Sequence, residues 1–164
     1  MSKRVARMAM WTALAMVFSY VEAVIPFSFG VQGVKLGLAN IVVLAGLYIM
    51  PAKDVFVISM TRIVLMGLLF YNGVTLLYSL CGGILSFVVM YFLKKISVFS
   101  ILGVSAAGAV AHNTGQIIAA YVIIQNVSVF VYFPVLIVSG AVMGVVVGVA
   151  AKKIIQIIKH IHCI

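Results

Sequence analysis

Three ionisable side chains lie inside long apolar segments of this sequence, and they are Glu22, Arg62 and His112. Charged groups within the hydrocarbon region of a membrane are costly, so such residues are candidates for a functional site. Further hydrogen-bonding residues accompany them along the chain, namely Lys35, Asn40, Asn113 and Gln116. The excess of donors and positive charge predicts a cavity, open to the outer side, that binds an anionic or strongly hydrogen-bonding molecule.

Each of these residues also has a purely structural interpretation. Arg62 and Glu22 would form a buried ion pair, whose desolvation offsets much of its attraction. His112 would be a neutral core histidine bonded to a carbonyl, and the asparagines would join neighbouring helices. Lys35 would be a solvated residue at the outer end of the second span. Under this interpretation the chain is a membrane scaffold without a ligand.

Residues for catalysis are scarce. Glu22 and Asp54 are the only two acids, so no aspartate cluster exists to hold Mg²⁺ against a diphosphate. The sequence contains no GxxxxGK[ST] motif for ATP, and no Ser-His-Asp or Cys-His set can be assembled. The two cysteines, Cys81 and Cys163, have neither disulfide nor metal-ligand spacing. We therefore expect no enzyme activity, no metal and no cofactor.

The composition is typical of a membrane protein. Of the 164 residues, 66% are hydrophobic and 8% are charged, which is far outside the range of soluble domains. Eleven Lys and Arg against two acids give a net charge of +9, which in a soluble protein would suggest nucleic acid as a partner. Here most basic residues lie between apolar segments, as the positive-inside rule expects, so we predict a lipid bilayer as the partner and no nucleic acid.

Apolar runs separated by turn and charge signals predict a single all-α transmembrane domain with six helices. The predicted spans cover about residues 8–27, 36–50, 52–71, 74–93, 100–124 and 129–151, and residues 152–164 form a basic amphipathic tail. The amino terminus, the second and fourth loops and the tail carry almost all Lys and Arg residues, whereas the other loops hold only Lys35. This distribution places both termini in the cytoplasm and predicts a multi-pass protein of the cytoplasmic membrane.

The segment GVSAAGAVAHNTGQ, residues 103–116, predicts a helix with two different faces. Small residues recur every fourth position and leave one face almost without side chain, which favours packing within the bundle. Ser105, Gly108, His112 and Gln116 form the neighbouring polar face. We expect this polar face to be the floor of the binding site.

A second stripe of small residues, Gly140, Gly144 and Gly148, recurs in the last span. Small residues at this spacing allow close helix packing in lipid, where the hydrophobic effect contributes little between helices. We expect this stripe to pack inside the bundle, and docking to another subunit is the alternative.

Three segments resemble the bacterial Gx transporter family, which also carries the name heptaprenyl diphosphate synthase component I. They are VKLGLANIVVLAGLY at residues 34–48, LYSLCGGILSFVVM at 77–90 and GAVAHNTGQ at 108–116. That family is similar to the S components of energy-coupling-factor transporters, small six-helix proteins that take up vitamins and related cofactors. Separate proteins drive S components, namely a coupling transmembrane protein and two ATPases.

The resemblance implies a substrate-binding component for uptake of a small cofactor-like molecule, with residues 28–34 as a lid. S components dock their coupling protein through an AxxxA motif in the first helix, which Ala9 and Ala13 match. The synthase name implies an alternative, a membrane accessory subunit of heptaprenyl diphosphate synthesis. Prenyl diphosphate synthases resemble soluble helical enzymes with aspartate-rich Mg²⁺ motifs, which this chain lacks, so we favour uptake.

Overall fold

The computed structural model describes residues 2–24, 37–70, 72–96 and 98–162. These ranges form six α-helices: α1 Ser2–Val24, α2 Leu38–Ile49, α3 Ala52–Phe70, α4 Gly73–Ile96, α5 Ile101–Ile124 and α6 Phe133–His162. A 3-10 helix, Val127–Tyr132, precedes α6. All the secondary structure in the described ranges is helical, as the sequence predicts.

Three segments of the described ranges are long and apolar enough to cross a membrane, and they are Gly73–Ile96, Ile101–Ile124 and Val127–Ile161. Large apolar side chains also remain on the surface of several helices; Leu68 is 71% exposed and Val138 is 64% exposed. Water solvates such a surface poorly, whereas hydrocarbon solvates it well. These features indicate a membrane protein.

The helices differ from the predicted spans mainly at their ends. Helix α1 begins at Ser2, so the basic residues near the amino terminus belong to it. Helix α6 continues through the basic tail to His162 without a break. The last predicted span begins at about residue 129, but there the chain is still in the 3-10 helix. Pro134 lies in the first turn of α6, where its missing N–H leaves no hydrogen bond unmade.

Helix α5 packs against both α4 and α6 with almost no side chain between the backbones. A Cβ atom on Gly115 would lie 2.8 Å from the carbonyl oxygen of Cys81 in α4. On the other side, a Cβ atom on Gly144 of α6 would lie 2.6 Å from the Cα atom of Ala106. Backbones come this close only where small residues face each other. Both predicted stripes of small residues therefore contribute to packing inside this bundle.

Polar contacts join the helices at the basic end of the bundle, which comprises the beginnings of α1, α3 and α5 and the ends of α2, α4 and α6. Arg4 Nε donates to both carboxylate oxygens of Asp54, at 3.1 and 3.2 Å. The Lys94 ammonium donates to the Leu47 carbonyl and lies 5.2 Å from the centre of the Tyr48 ring. The first contact holds α1 beside α3, and the second holds α4 beside α2.

The ion pair between Arg4 and Asp54 is a contact that the sequence does not predict. Asp54 belongs to the first turn of α3, and its side chain is only 1% exposed. The hydrogen bond with Asp54, together with its negative charge, raises the pKa of the Arg4 guanidinium above its ordinary value. One of the two acids in the chain is therefore buried and neutralised at the basic end.

A buried apolar cluster fills the bundle beside these polar contacts. Most of the cluster residues lie in the half of their helix toward the basic end, and four of them, Leu44, Leu47, Val104 and Ala151, are fully buried. The cluster consists of Ile41, Val43, Leu44, Leu47, Met50, Val55, Ile58, Phe87, Met90, Val104, Val147 and Ala151. The interior of the bundle toward the basic end is therefore filled largely by apolar side chains.

The close approach of α5 and α6 yields a test of the packing. We expect Gly144→Ala to destabilise the protein by about 1–3 kcal/mol, because the added methyl group meets backbone atoms that cannot move aside. Thermal unfolding of the purified protein in detergent measures the change. The matched control is Gly73→Ala, since a Cβ atom at Gly73 meets nothing within 4 Å. Equal unfolding temperatures for the two variants would contradict this packing.

Candidate ligand-binding cavity

A cavity of about 130 Å³ lies inside the bundle, and all six helices contribute residues to its wall. A space of this size holds several water molecules or a small polar molecule. Its polar wall residues are Ser19, Glu22, Asn40, Arg62, Ser79, Ser86, Ser105, His112 and Asn113. Its apolar wall residues include Ala39, Ile63, Met66, Met90, Met143 and Val147. The cavity therefore collects polar groups in a bundle whose composition is mostly apolar.

The position of the cavity follows from the order of residues along the helices. On α2, Asn40 of the cavity precedes Leu44 of the apolar cluster, and on α3, Arg62 follows Ile58 of the cluster. Met90 and Val147 belong to both sets and mark the boundary between them. The apolar cluster thus separates the cavity from the basic end.

Two charged residues from different helices, Arg62 and Glu22, line one side of the cavity. Arg62 Nη1 donates to the Ser19 hydroxyl at 3.1 Å, and Ser19 in turn donates to the Ala15 carbonyl at 2.9 Å. One turn further along α1, the Glu22 carboxylate accepts from the Gly37 backbone N–H at 2.6 Å. Gly37 has a φ of 73° immediately before α2, a conformation that glycine adopts without strain. The two charges therefore lie on one side of the cavity and are oriented by hydrogen bonds.

Asn113 has a fixed orientation in the wall. Its Nδ2 donates to the Leu136 carbonyl of α6 at 2.6 Å, and because a carbonyl can only accept, the amide oxygen must point elsewhere. Gly140 provides the room for this contact, since a Cβ atom there would lie 2.6 Å from Asn113 Nδ2. Asn113 therefore joins α5 to α6, as its structural interpretation predicts, and still lines the cavity.

Three residues of the polar face of α5, Ser105, Gly108 and His112, line the cavity. Gly108 is small enough for α4 to come close, because a Cβ atom there would lie 2.7 Å from Met90 Sδ and 3.4 Å from Ser86 Oγ. The Ser86 side chain is 3% exposed, and its hydroxyl has no hydrogen-bond partner among the described residues. A buried hydroxyl usually has a hydrogen-bond partner, and a ligand or a water molecule in the cavity would supply one here.

The structure brings together most of the residues that the sequence proposes for the site, namely Glu22, Asn40, Arg62, His112 and Asn113. Gln116 is not among the cavity residues; it packs against α4, where its Cγ would lie 2.9 Å from a Cβ atom on Gly82. Gln116 therefore does not line this cavity, and its role in binding stays a prediction. Lys35 and the proposed lid at residues 28–34 lie outside the described residues.

Sequence reasoning missed three serines of the wall, Ser19, Ser79 and Ser86. Serine is common in membrane helices and attracts little attention by itself. Spacing was the available signal, since Ser19 lies three residues before Glu22 and Ser79 lies seven before Ser86, which puts each pair on one helical face. Each pair extends the polar wall along its helix.

Ala9 and Ala13, the residues proposed for docking a partner, are both exposed on α1. They share this surface with apolar side chains, and Met10 and Val17 are 65% and 58% exposed. Either lipid or another membrane protein can cover such a surface.

Comparison with known proteins finds a family match. The model of the family described as heptaprenyl diphosphate synthase component I matches residues 11–154. This range includes every residue that lines the cavity. No match was found among curated proteins or among solved structures.

The orientation of Asn113 predicts a difference between two asparagines. Asn113→Asp removes the donor to Leu136 and places a carboxylate against a carbonyl, so we expect a loss of about 1–3 kcal/mol of stability. Asn126→Asp is the control, because Asn126 Oδ1 accepts from the Ser128 N–H at 2.9 Å and aspartate accepts equally well. Denaturation of both purified variants measures the effect. If Asn113→Asp is tolerated as well as Asn126→Asp, the assigned orientation is incorrect.

Proposed function

This chain belongs to the heptaprenyl diphosphate synthase component I family, and we propose that it is the membrane-embedded substrate-binding component of an uptake system for a small polar molecule. The cavity is the observation that carries the proposal. Glu22, Arg62, His112 and Asn113 come from α1, α3 and α5, and they surround one common space. Polar residues that served only to join helices would be expected to pack against one another and leave no cavity, as in other close-packed interiors.

We propose further that all six helices span the cytoplasmic membrane, with both termini in the cytoplasm. The gathering of Arg4, Asp54 and Lys94 at one end of the bundle supports this orientation, because basic residues favour the cytoplasmic side. In this orientation the apolar cluster lies toward the cytoplasm and the cavity lies toward the outside. A molecule would therefore enter the cavity from the outer side.

Uptake by this chain would need partner proteins. The sequence has no P-loop for ATP, and the wall of the cavity includes one carboxylate, that of Glu22. We propose that a coupling transmembrane protein and ATPases supply the energy, and that the exposed side of α1 with Ala9 and Ala13 contacts the coupling protein. In this scheme the chain binds and releases its substrate unchanged and is not an enzyme.

The family name favours a second candidate function, an accessory subunit of heptaprenyl diphosphate synthesis. In this role the chain would hold a polyprenyl or diphosphate group for a soluble synthase. The side chains of the cavity are a poor match for a Mg²⁺-bound diphosphate, because such a site uses several aspartates and Glu22 is the one acid in the described wall. We therefore rank this function second.

Retention of small molecules by the purified protein tests the proposed site. Gently purified wild type should carry a molecule that mass spectrometry detects, and Arg62→Ala should lower its retention roughly tenfold or more, because hydrogen bonds to charged groups contribute strongly to binding. The control is Lys53→Ala, which removes an exposed charge from the same helix at the basic end. Equal retention by wild type and Arg62→Ala would show that the site is wrongly assigned.

Co-purification and uptake measurements distinguish the two functions. An uptake component should support accumulation of the retained molecule in cells only when its ATPase partners are active. An accessory subunit should co-purify with a soluble prenyl synthase and support no ATP-dependent uptake. Co-purification with the synthase, without uptake, would replace the first proposal by the second.

A further inference from the structure

We infer that the cavity binds a small zwitterion, a molecule of zero net charge with an anionic group facing Arg62 and a cationic group facing Glu22. The inference rests on the proposed binding function and specifies the charge of its ligand. The sequence alone favours an anionic or strongly hydrogen-bonding molecule, and the inference is more specific because the structure places an acid and a base in the same wall.

The wall of the cavity carries charges of both signs. Among the described residues, the titratable groups that line the cavity are Glu22, Arg62 and His112. Glu22 supplies a negative charge and Arg62 a positive one, and the remaining polar side chains of the described wall are those of serines and asparagines. The sequence-based expectation of excess positive charge depended partly on Lys35, which lies outside the described residues.

The two charges lie close together along α1. Arg62 Nη1 bonds to the Ser19 hydroxyl, and Glu22 follows Ser19 by three residues on the same helix. Residues at this spacing are neighbours on one helical face, with about 5–6 Å between their Cβ atoms. The Arg62 guanidinium and the Glu22 carboxylate therefore form a positive and a negative pole that are held at positions about one helical turn apart on α1. Arg62 donates to Ser19, and Glu22 accepts from the Gly37 N–H just before α2.

A purely anionic ligand fits this wall less well. An anion at Arg62 would lie about one helical turn from the Glu22 carboxylate, in a bundle of low polarity where repulsion is strong. A zwitterion of matching length places a charge of the opposite sign at each pole.

The remainder of the cavity suits the uncharged body of such a molecule. The buried Ser86 hydroxyl, which has no partner among the described residues, lines the same space. The amide oxygen of Asn113 is an acceptor, because its Nδ2 is committed to Leu136. Met66, Met90 and Met143 supply flexible apolar walls. The body of the ligand would therefore be short, with both polar and apolar parts.

Three probes of similar size and different charge test the inference: γ-aminobutyrate as the zwitterion, butyrate as the anion and butylamine as the cation. The measured quantity is the apparent affinity from thermal shifts of the purified full chain near pH 7. We expect wild type to bind γ-aminobutyrate roughly tenfold or more tightly than either charged probe, since each lost charged contact weakens binding by about that factor.

Two variants should change this preference in opposite directions. Glu22→Gln removes the negative pole and should favour butyrate, whereas Arg62→Gln removes the positive pole and should favour butylamine. Lys53→Gln removes a positive charge at an exposed position and should leave the order of the probes unchanged. The order of the probes on wild type provides the test even where a variant fails to fold.

Tighter binding of butyrate than of γ-aminobutyrate by wild type would overturn the inference, and so would a lack of response to all three probes. The mass spectrum of the retained molecule gives an independent check. A retained anion contradicts the zwitterion and leaves the binding function intact, whereas a wild type that retains no molecule contradicts the binding function itself.

Discussion

The structure depends on how closely α5 approaches its two neighbours. In a chain of this composition, helices cannot be driven together by hiding apolar surface from water, because their surroundings are apolar as well. Contact between backbones replaces that force, and it requires glycine or alanine at each crossing. Gly115 provides such a contact toward α4 and Gly144 provides one toward α6. The other helices pack around this group of three.

The polar residues of α5 lie beside its close contacts with α4 and α6. Gln116 packs against Gly82 of α4, and Ser105 lies against Gly148 of α6. Ser105 and His112 also line the cavity, and α1, α2 and α3 complete its wall. Asn113 both joins two helices and lines the cavity, since its amide nitrogen donates to a carbonyl of α6 while the residue borders the cavity.

Much of this arrangement could be predicted from residue types and spacing. The number and class of the helices follow from apolar runs and turn signals, and the two faces of α5 follow from its period of four. The Arg4–Asp54 pair could not be predicted, because it joins residues that are fifty positions apart. Gln116 shows the other limit. Its spacing places it on the polar face of α5, but it packs against Gly82 of another helix, and one helix by itself does not reveal the shape of its neighbour.

The apolar cluster and the Arg4–Asp54 pair both lie on the basic side of the cavity. Leu44, Leu47 and Val104, which are fully buried, lie between the cavity and that side. Under the proposed function, passage of a molecule to that side would require the helices to separate, which would expose the cluster and break the ion pair. The energy for that separation would then have to come from outside the bundle.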